Sequence, residues 1–445
     1  MSRTKDMTSG SPLNLILGFA LPLILTNLGQ QFYLLVDASV VGRGIGVKAL
    51  ASVGAADWSY WLVLWTIAGF TQGASIFVSR YFGEKNHKQL NKTIAMATIL
   101  CSFIGVVLTV FGILLVNPVL NVLKTPHDII GGARVYLITM ISGTMIVMAY
   151  NLTASILRAF GDSKSPLFAM IISAVLNIAL DLLFVLKFKW GIFGAAFASV
   201  LSQLVSFVYC YIQIKKIDVV NITSDCWQFD FKMIKDLTGL SLPLALQYMV
   251  IALGGIILQS TINMQGSIFV AGYTAVNKLY GLLESSALSL GVAFSTFFSQ
   301  NFGAGNKKRV RHGVNVGIML CVSASVIVGL FVYAFGDNLL KFFIDTNESG
   351  GADALIVAWN YLRYMLICLA ILYLIYVYKN ALQSVGVSRW SMFSGISELV
   401  CRVTMGKILI YTFGVNTLYF IEPAAWVCAL VFVMVPYYLI RNEYI

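Results

Sequence analysis

The chain has 445 residues, of which 59% are hydrophobic and only 11% are charged, and its mean hydropathy is +0.84. Soluble proteins carry about one quarter charged residues, so this composition excludes a water-soluble particle of this size. In lipid every backbone polar group needs an internal partner, and long apolar runs without strict alternation favour helices over a β-barrel. The sequence therefore predicts an all-α membrane protein.

Twelve apolar segments follow one another along the chain, and each is predicted to be a transmembrane helix. They lie near 13–41, 50–79, 93–116, 130–157, 166–186, 191–214, 238–264, 268–299, 312–335, 355–383, 390–412 and 416–440. The longest polar interval falls between the sixth and seventh. We therefore expect an amino-terminal six-helix bundle over residues 1–214, a cytoplasmic linker over 215–237 and a carboxy-terminal six-helix bundle over 238–445.

The basic residues predict the orientation of these spans. The net charge of +11 is compatible with nucleic-acid binding, but most of the 30 Lys and Arg residues lie at the termini and in the loops after spans 2, 4, 6, 8 and 10. Only six lie in the opposite loops: Arg43, Lys48, Lys124, Lys187, Lys189 and Lys341. By the positive-inside rule both termini are cytoplasmic. We expect a multi-pass protein of the cell inner or plasma membrane and no nucleic-acid partner.

The two halves of the chain resemble each other. ALPLILTNLGQQF from Ala20 corresponds to SLPLALQYMVIAL from Ser241, SRYFGEKN (79–86) to SQNFGAGN (299–306), and LRAFGDSKSPLF (157–168) to LQSVGVSRWSMF (382–393). The offset is 221 residues at Pro22/Pro243 and 220 at Gly83/Gly303. Two six-span copies in the same orientation predict parallel repeats, which form two bundles around a central cavity and suit alternating access.

Proline inside the first helix of each half, Pro22 and Pro243, removes one backbone hydrogen bond and favours a bend. In a transporter such a bend is a plausible moving part, and we expect Pro22 to act as a conformational hinge. Proline is also common in static membrane helices.

Polar residues in the predicted spans of the first half are the main functional signal. An ionisable residue in a span costs about 2.5–3.5 kcal/mol on insertion scales and is a functional candidate by default. Asp37 shares a helix face with Gln30 and Tyr33, Asp181 follows Asn177 by one turn, and Ser199 lies in the sixth span. These hard oxygen ligands suit Na⁺, or a proton shared between two carboxylates. The alternative is that both aspartates only accept hydrogen bonds from neighbouring helices.

In these residues the chain resembles the multidrug and toxic compound extrusion (MATE) family, over essentially its full length, and in particular the branch with archaeal and DinF-type members. The matching positions are Pro22, Gln30, Tyr33, Asp37, Asn177, Asp181 and Ser199. The resemblance implies that Asp37, Asn177, Asp181 and Ser199 form the cation site, and that Asn151 and Met170 lie near the drug site. Tyr150 and Ala154 stand where some relatives have asparagine.

The second half lacks most of the carboxylates that the NorM-type branch places in helices 7, 8 and 10. Only Glu284, in helix 8, is available, so we interpret it as a substrate-cavity residue, with a second proton site or a pair with Lys278 as alternatives. Glu398 has Arg402 at i+4, the order that favours an intrahelical ion pair.

The sequence and the resemblance together predict a secondary active antiporter that exports amphipathic, often cationic organic compounds in exchange for Na⁺ or H⁺. We expect no enzyme activity, no cofactor beyond the coupling ion, and a functional monomer in the bilayer. The seven scattered cysteines are interpreted as small buried hydrophobes. The nearest alternative is a lipid-linked oligosaccharide flippase of the same superfamily. A membrane enzyme and a channel are the other two alternative functions. The sequence contains no HExxH or GxSxG motif, which disfavours the enzyme.

Overall fold

The protein is described from a computed structural model over residues 4–346 and 350–444, and within these ranges it contains helices and no strands. This confirms the predicted all-α class. The helices pack into two compact units, in agreement with the predicted two-bundle architecture. The amino-terminal unit contains the residues before Gly10 together with Gly18–Ala245, and the carboxy-terminal unit contains Gly10–Leu17 and the chain from Leu246 onward.

The first half of the chain forms seven helices. They are α1 (Pro12–Gly44), α2 (Val47–Gly83), α3 (His87–Val122), α4 (Ile130–Ser142), α5 (Thr144–Ala159), α6 (Lys164–Asp181) and α7 (Gly191–Lys215). A π-helical segment, Leu182–Lys187, continues α6 directly.

The described residues of the second half form eight α-helices. They are α8 (Phe231–Asn263), α9 (Ser267–Gly303), α10 (Lys307–Lys341), α11 (Gly351–Ile367), α12 (Leu369–Ser384), α13 (Arg389–Val403), α14 (Ile410–Phe413) and α15 (Ile421–Tyr444). A second π-helical segment, Thr404–Leu409, joins α13 to α14, and the 3₁₀ segment Val415–Phe420 precedes α15.

Nine helical segments of the described chain are long and apolar enough to cross a membrane, and two bent helix pairs raise the number to 11. The pairs are α4 with α5, bent by 48°, and α11 with α12, bent by 46°. The twelfth predicted span, 390–412, corresponds to α13, the π segment and α14. That stretch contains Arg389, Glu398, Arg402 and Lys407, and it is absent from this apolar set because of these charges.

Gly143, at the break between α4 and α5, packs closely against α7. A Cβ atom on Gly143 would lie 2.5 Å from a methyl group of Val200 in α7, so only glycine allows the chain at the break to approach α7 so closely. The bend places the carboxy-terminal part of this span, including Asn151, on α5.

The internal duplication extends to the local irregularities of the fold. Helices α2 and α9 each have 37 residues, and α1 and α8 each have 33. The two π-helical segments begin at Leu182 and Thr404, 222 positions apart, close to the offset of the sequence motifs. π-Helical turns inside α-helices are rare and occur frequently at functional sites. The segment at Leu182 begins directly after Asp181.

The linker between the halves is bound to α3. Lys92 forms an ion pair of 2.6 Å with Asp230. Asn91 donates to the carbonyl oxygen of Val219 (3.1 Å) and accepts from the backbone N–H of Asn221 (2.9 Å). The linker residues Val219, Val220, Ile222 and Cys226 also pack against the hydrophobic core of the amino-terminal unit. The linker is therefore an ordered part of that unit.

We predict that Lys92→Met loosens this linker at neutral pH. The hydrogen bond from the Lys92 ammonium and the backbone N–H of Met233 hold the pKa of Asp230 below its usual range. A carboxyl with a depressed folded-state pKa contributes stability above its unfolded pKa of about 3.9, and this contribution is lost as the pH falls through the folded value. We expect amide hydrogen exchange over residues 219–230 to rise by up to about fivefold in the variant at pH 7.

Lys88→Met is the matched control, because Lys88 is exposed in the first turn of α3, four residues before Lys92, and forms no ion pair within the described chain. It should leave the exchange of the linker unchanged. Below the folded pKa of Asp230 the wild type and Lys92→Met should exchange alike. Equal exchange at pH 7 in all three proteins would contradict the role assigned to this ion pair.

Candidate functional site

Two polar side chains of α1 face the interior of the amino-terminal unit. Tyr33 and Asp37 are four residues apart and therefore share a helix face. The Tyr33 hydroxyl lies 3.3 Å from the Oγ of Ser199 in α7. This contact connects the first and sixth predicted spans.

Helix α6 supplies an amide and a carboxylate, Asn177 and Asp181, and both side chains are completely buried. Only one orientation of the Asn177 amide satisfies its neighbours. Its NH₂ donates to Asp181 Oδ2 (2.7 Å), and its oxygen accepts from the Oγ (3.2 Å) and backbone N–H (3.1 Å) of Ser199. Asn177 thus fixes one oxygen of Asp181 and joins α6 to α7.

The carboxyl groups of Asp37 and Asp181 lie within hydrogen-bonding reach of each other. The Oδ1 atom of each is buried, and no hydrogen-bond donor of the described chain reaches it. Neither carboxyl takes part in an ion pair among the described residues. Two carboxylates in contact repel each other unless a proton or a cation lies between them. The pair therefore has the chemistry of a site that takes up one positive charge.

The structure brings together four of the predicted residues, Asp37, Asn177, Asp181 and Ser199, and adds Tyr33. Together they offer carboxylate, amide and hydroxyl oxygens and no sulfur or imidazole, a donor set that suits Na⁺ or a shared proton. Within the described part of the chain no group of three or more His, Cys, Asp or Glu side chains is placed to hold a metal ion. A monovalent cation on two carboxylates and neutral oxygens requires no such group.

Tyr60 and Tyr136 pack in a hydrophobic cluster beside this site, together with Val41 of α1. Tyr136 interacts electrostatically with Asp37, with Tyr33 and with a further carboxylate, Asp57 of α2. Asp57 was not predicted from the sequence. The criterion that selected Asp37 applies to it as well, since it is an acid within the predicted span 50–79.

The remaining predicted residues of the amino-terminal unit lie around the same helices. Pro22 is buried inside α1, and the Thr26 hydroxyl donates to its carbonyl oxygen (2.8 Å). Met170 packs on Gly29, where a Cβ would lie 2.6 Å from its terminal methyl group. Asn151 donates to the Val147 carbonyl of its own helix (2.8 Å), and Gln30 is exposed.

In the carboxy-terminal unit, Glu284 of α9 accepts a hydrogen bond from the hydroxyl of Tyr376 in α12 (3.2 Å). Tyr280 also hydrogen-bonds this carboxyl group. The alternative ion pair between Glu284 and Lys278 does not form within the described chain. Glu284 is therefore bound to tyrosine hydroxyls rather than to a cation.

Arg402 bridges two buried acids in this unit. It lies 3.5 Å from Glu398 of the same helix, which confirms the predicted i+4 pair, and 2.9 Å from Glu422 at the start of α15. The sequence did not indicate the second partner, because it lies 20 positions along the chain on another helix. Lys379 of α12 is a further buried charge that the sequence analysis missed, although it lies within the predicted span 355–383.

A model of the MatE family matches this chain twice, over residues 22–183 and 243–408. The two matches cover most of the chain and agree with its internal duplication. Among relatives, the "Probable multidrug resistance protein YoeA" of Bacillus subtilis (strain 168) is 28% identical over 357 residues, with 78% of this chain and 77% of the relative covered.

Solved structures show the same fold. One, described as "Crystal structure of MATE in complex with MaL6", has a TM-score of 0.90 at 21% identity and covers 98% of this chain and 98% of its own. Another, described as "Crystal structure of MATE in the bent conformation", has a TM-score of 0.89 at 21% identity and covers 98% of this chain and 96% of its own.

We predict that Asp37→Asn and Asp181→Asn each stabilise the protein in Na⁺-free buffer at pH 10, since each removes one of two contacting carboxylates. The apparent Tm in detergent should rise by about 2–6 °C. When Na⁺ is added or the pH is lowered, the apparent Tm of the wild type should rise by a similar amount, and the Tm of both variants should not.

Asp218→Asn is the control, because it makes the same change at an exposed carboxylate of the linker. Its Tm and its response to cations should match those of the wild type. A lower Tm for both site variants under Na⁺-free conditions would show instead that the aspartates stabilise the fold as simple hydrogen-bond acceptors.

Proposed function

This chain belongs to the MatE family of transporters, and we propose that it is a secondary active antiporter, which exports amphipathic, often cationic organic compounds while Na⁺ or H⁺ enters. The observation that carries the proposal is the contact between the Asp37 and Asp181 carboxyl groups, each with a buried oxygen that no donor in the described chain reaches. An intramembrane carboxylate pair without a basic partner is expensive to maintain. A coupling cation that binds and leaves in each cycle gives it a function.

In the proposed cycle, the entering cation binds between Asp37 and Asp181. Asn177 holds the Asp181 carboxyl in position through its NH₂ group, and Ser199 offers a neutral hydroxyl oxygen at the same place. Binding removes the repulsion between the two carboxyl groups, which belong to different helices. Helices α1 and α6 are then free to approach each other on that side.

The bend that follows is placed at Pro22. Proline has no backbone N–H, so the carbonyl oxygen of residue 18 lacks its helical donor, and the Thr26 hydroxyl bonds to the carbonyl of Pro22 itself (2.8 Å). Helix α1 is therefore weakest about three to five turns before Asp37. The similarity to a MATE structure described as being in a bent conformation supports a hinge of this kind.

The exported compound would bind next to the cation site. Gln30, Tyr33, Asn151 and Met170 are proposed to line its cavity, and Tyr33 also contacts Ser199 of the cation site. A bend in α1 would move Gln30 and Tyr33 together with Asp37, so that cation entry and drug release exclude each other. The name of the relative YoeA favours export of drugs over the flippase alternative.

The protein is proposed to function as a monomer in the cell inner or plasma membrane, with both termini in the cytoplasm. The distribution of basic residues supports this orientation. The coupling ion, Na⁺ or H⁺, is carried as cargo, and the oxygen donors at Asp37, Asn177, Asp181 and Ser199 suit both.

We predict that Asp37→Asn abolishes gradient-driven transport. Proteoliposomes containing the wild-type protein should move a fluorescent organic cation when a Na⁺ or H⁺ gradient is imposed, and the effective gradient identifies the ion. The transport rate of the variant should be about ten- to a hundredfold lower than that of the wild type, because one carboxylate alone cannot exchange the cation against the drug.

Asp218→Asn again serves as the control and should transport at the wild-type rate. Wild-type rates in a protein with alanine at both Asp37 and Asp181 would refute the coupling mechanism. If folded wild-type protein transports no cationic drug under either gradient, an assay of lipid-linked oligosaccharide flipping should be the next measurement.

We also predict that Pro22→Ala slows transport by about three- to tenfold, because it restores one backbone hydrogen bond and stiffens α1. Stabilisation by Na⁺ or H⁺ in a thermal shift assay should remain, since the carboxylates are unchanged. Pro118→Ala, inside α3, is the matched control and should leave the rate unaltered. Equal rates in all three proteins would exclude Pro22 as the hinge.

A further inference from the structure

Lys379 is a buried lysine in α12, and its ammonium group forms no ion pair and no hydrogen bond within the described chain. Only 6% of the residue is exposed. No carboxylate lies within ion-pair distance of its ammonium group, and no hydrogen-bond acceptor for it is found in the described chain. A charge placed in this way in a membrane helix is costly and marks a functional candidate.

Aromatic rings take the place of an acceptor. The Nζ atom of Lys379 lies 4.3 Å from the ring centroid of Tyr376 and 5.8 Å from that of Tyr248. Tyr376 is one turn away on the same helix, whereas Tyr248 comes from α8. The ammonium therefore occupies an aromatic cage of the kind that recognises quaternary ammonium groups.

Two carboxylates act on the Lys379 ammonium from beyond ion-pair distance, Glu398 more strongly than Glu284. Glu284 accepts from the hydroxyl of Tyr376 (3.2 Å) and interacts electrostatically with Lys379. Glu398 also acts on the lysine, but Arg402 lies 3.5 Å from it and is paired with Glu422 as well. Glu284 is thus the acid beside the rings that forms no ion pair within the described chain. A carboxylate next to ring faces is a combination that attracts an organic cation.

We propose that Tyr248, Tyr376 and Glu284 form an organic-cation site within the carboxy-terminal unit, and that the Lys379 ammonium occupies it as a tethered competitor. The proposal rests on the export function above and names a recognition site for its cationic substrates. A ligand that binds here must displace the ammonium from the rings. A bulky cation with delocalised charge is favoured, because it is weakly hydrated and covers more ring surface than a primary ammonium does.

The first test is equilibrium binding of tetraphenylphosphonium to purified full-length protein in nanodiscs, without any ion gradient. Lys379→Met should bind this cation about tenfold more tightly than the wild type, since the competitor is gone. Lys379→Arg, which keeps a competing cation, should stay within about threefold of the wild type. Adding Tyr376→Leu to Lys379→Met should cancel the gain.

Neutral triphenylphosphine oxide is the matched probe without charge, and its affinity should be the same in all these variants. An unchanged or weaker affinity of folded Lys379→Met for tetraphenylphosphonium would overturn the proposal and leave the lysine as a structural counter-charge. An equal gain for the neutral probe would also overturn it, because the site would then select for space rather than charge.

A second measurement uses the unaltered protein and does not depend on the folding of a variant. Saturating tetraphenylphosphonium should expel the ammonium from the cage and increase the acylation of Lys379 by an amine-reactive ester, as followed by mass spectrometry. Lys278, exposed on α9, is the control and should react equally with and without the cation. Unchanged acylation of Lys379 at saturation would contradict displacement.

These results can be separated from the fate of the antiport mechanism. Binding is measured without a gradient, so the effect of Lys379→Met should persist in a protein that also contains Asp37→Asn. If that effect is absent while Asp37→Asn still abolishes transport, the proposed organic-cation site is contradicted and the proposed coupling site is supported. If Asp37→Asn transports normally while Lys379→Met binds the cation more tightly, the organic-cation site is supported and the coupling site is contradicted.

Discussion

The structure depends on one constraint, which is that charge buried in lipid has to be neutralised by something close by. In the amino-terminal unit, Asp37 and Asp181 come from two helices and lie within hydrogen-bonding reach of each other, with no basic side chain paired to either in the described chain. Tyr33, Asn177 and Ser199 surround them with neutral groups only. On the proposed mechanism the neutralising charge is a mobile ion, so that the site responds to the concentration of that ion.

The carboxy-terminal unit places basic side chains of its own near its buried acids. Arg402 pairs with Glu398 and Glu422, and Lys379 lies among tyrosine rings near Glu284. The two halves share helix lengths and the position of their π-helical segments, so the difference does not come from the backbone. Duplication produced one scaffold twice, and the charges placed on it have diverged between the copies.

Much of this could be predicted from the sequence, because lipid imposes simple rules on it. The spans, the duplication and the grouping of Asp37, Asn177, Asp181 and Ser199 follow from hydropathy, spacing and the resemblance. What escaped prediction depends on contacts between distant segments. The pair of Arg402 with Glu422 and the approach of Tyr248 to Lys379 join helices whose relative rotation no periodicity reveals. Asp57 could have been predicted by the same criterion as Asp37, since it is an acid inside a predicted span.

The contrast between the halves has a consequence for coupling. In a bundle whose acids are neutralised by its own basic side chains, the internal electrostatic energy changes little with the concentration of an external ion. An ion gradient therefore has little effect on its conformation. A bundle with two contacting, unpaired carboxyl groups changes its internal electrostatics each time an ion binds or leaves. If the gradient acts through Asp37 and Asp181 alone, the other half is free to keep a charged aromatic site for its substrates. A duplicated fold can in this way divide energy coupling from recognition without any change in its architecture.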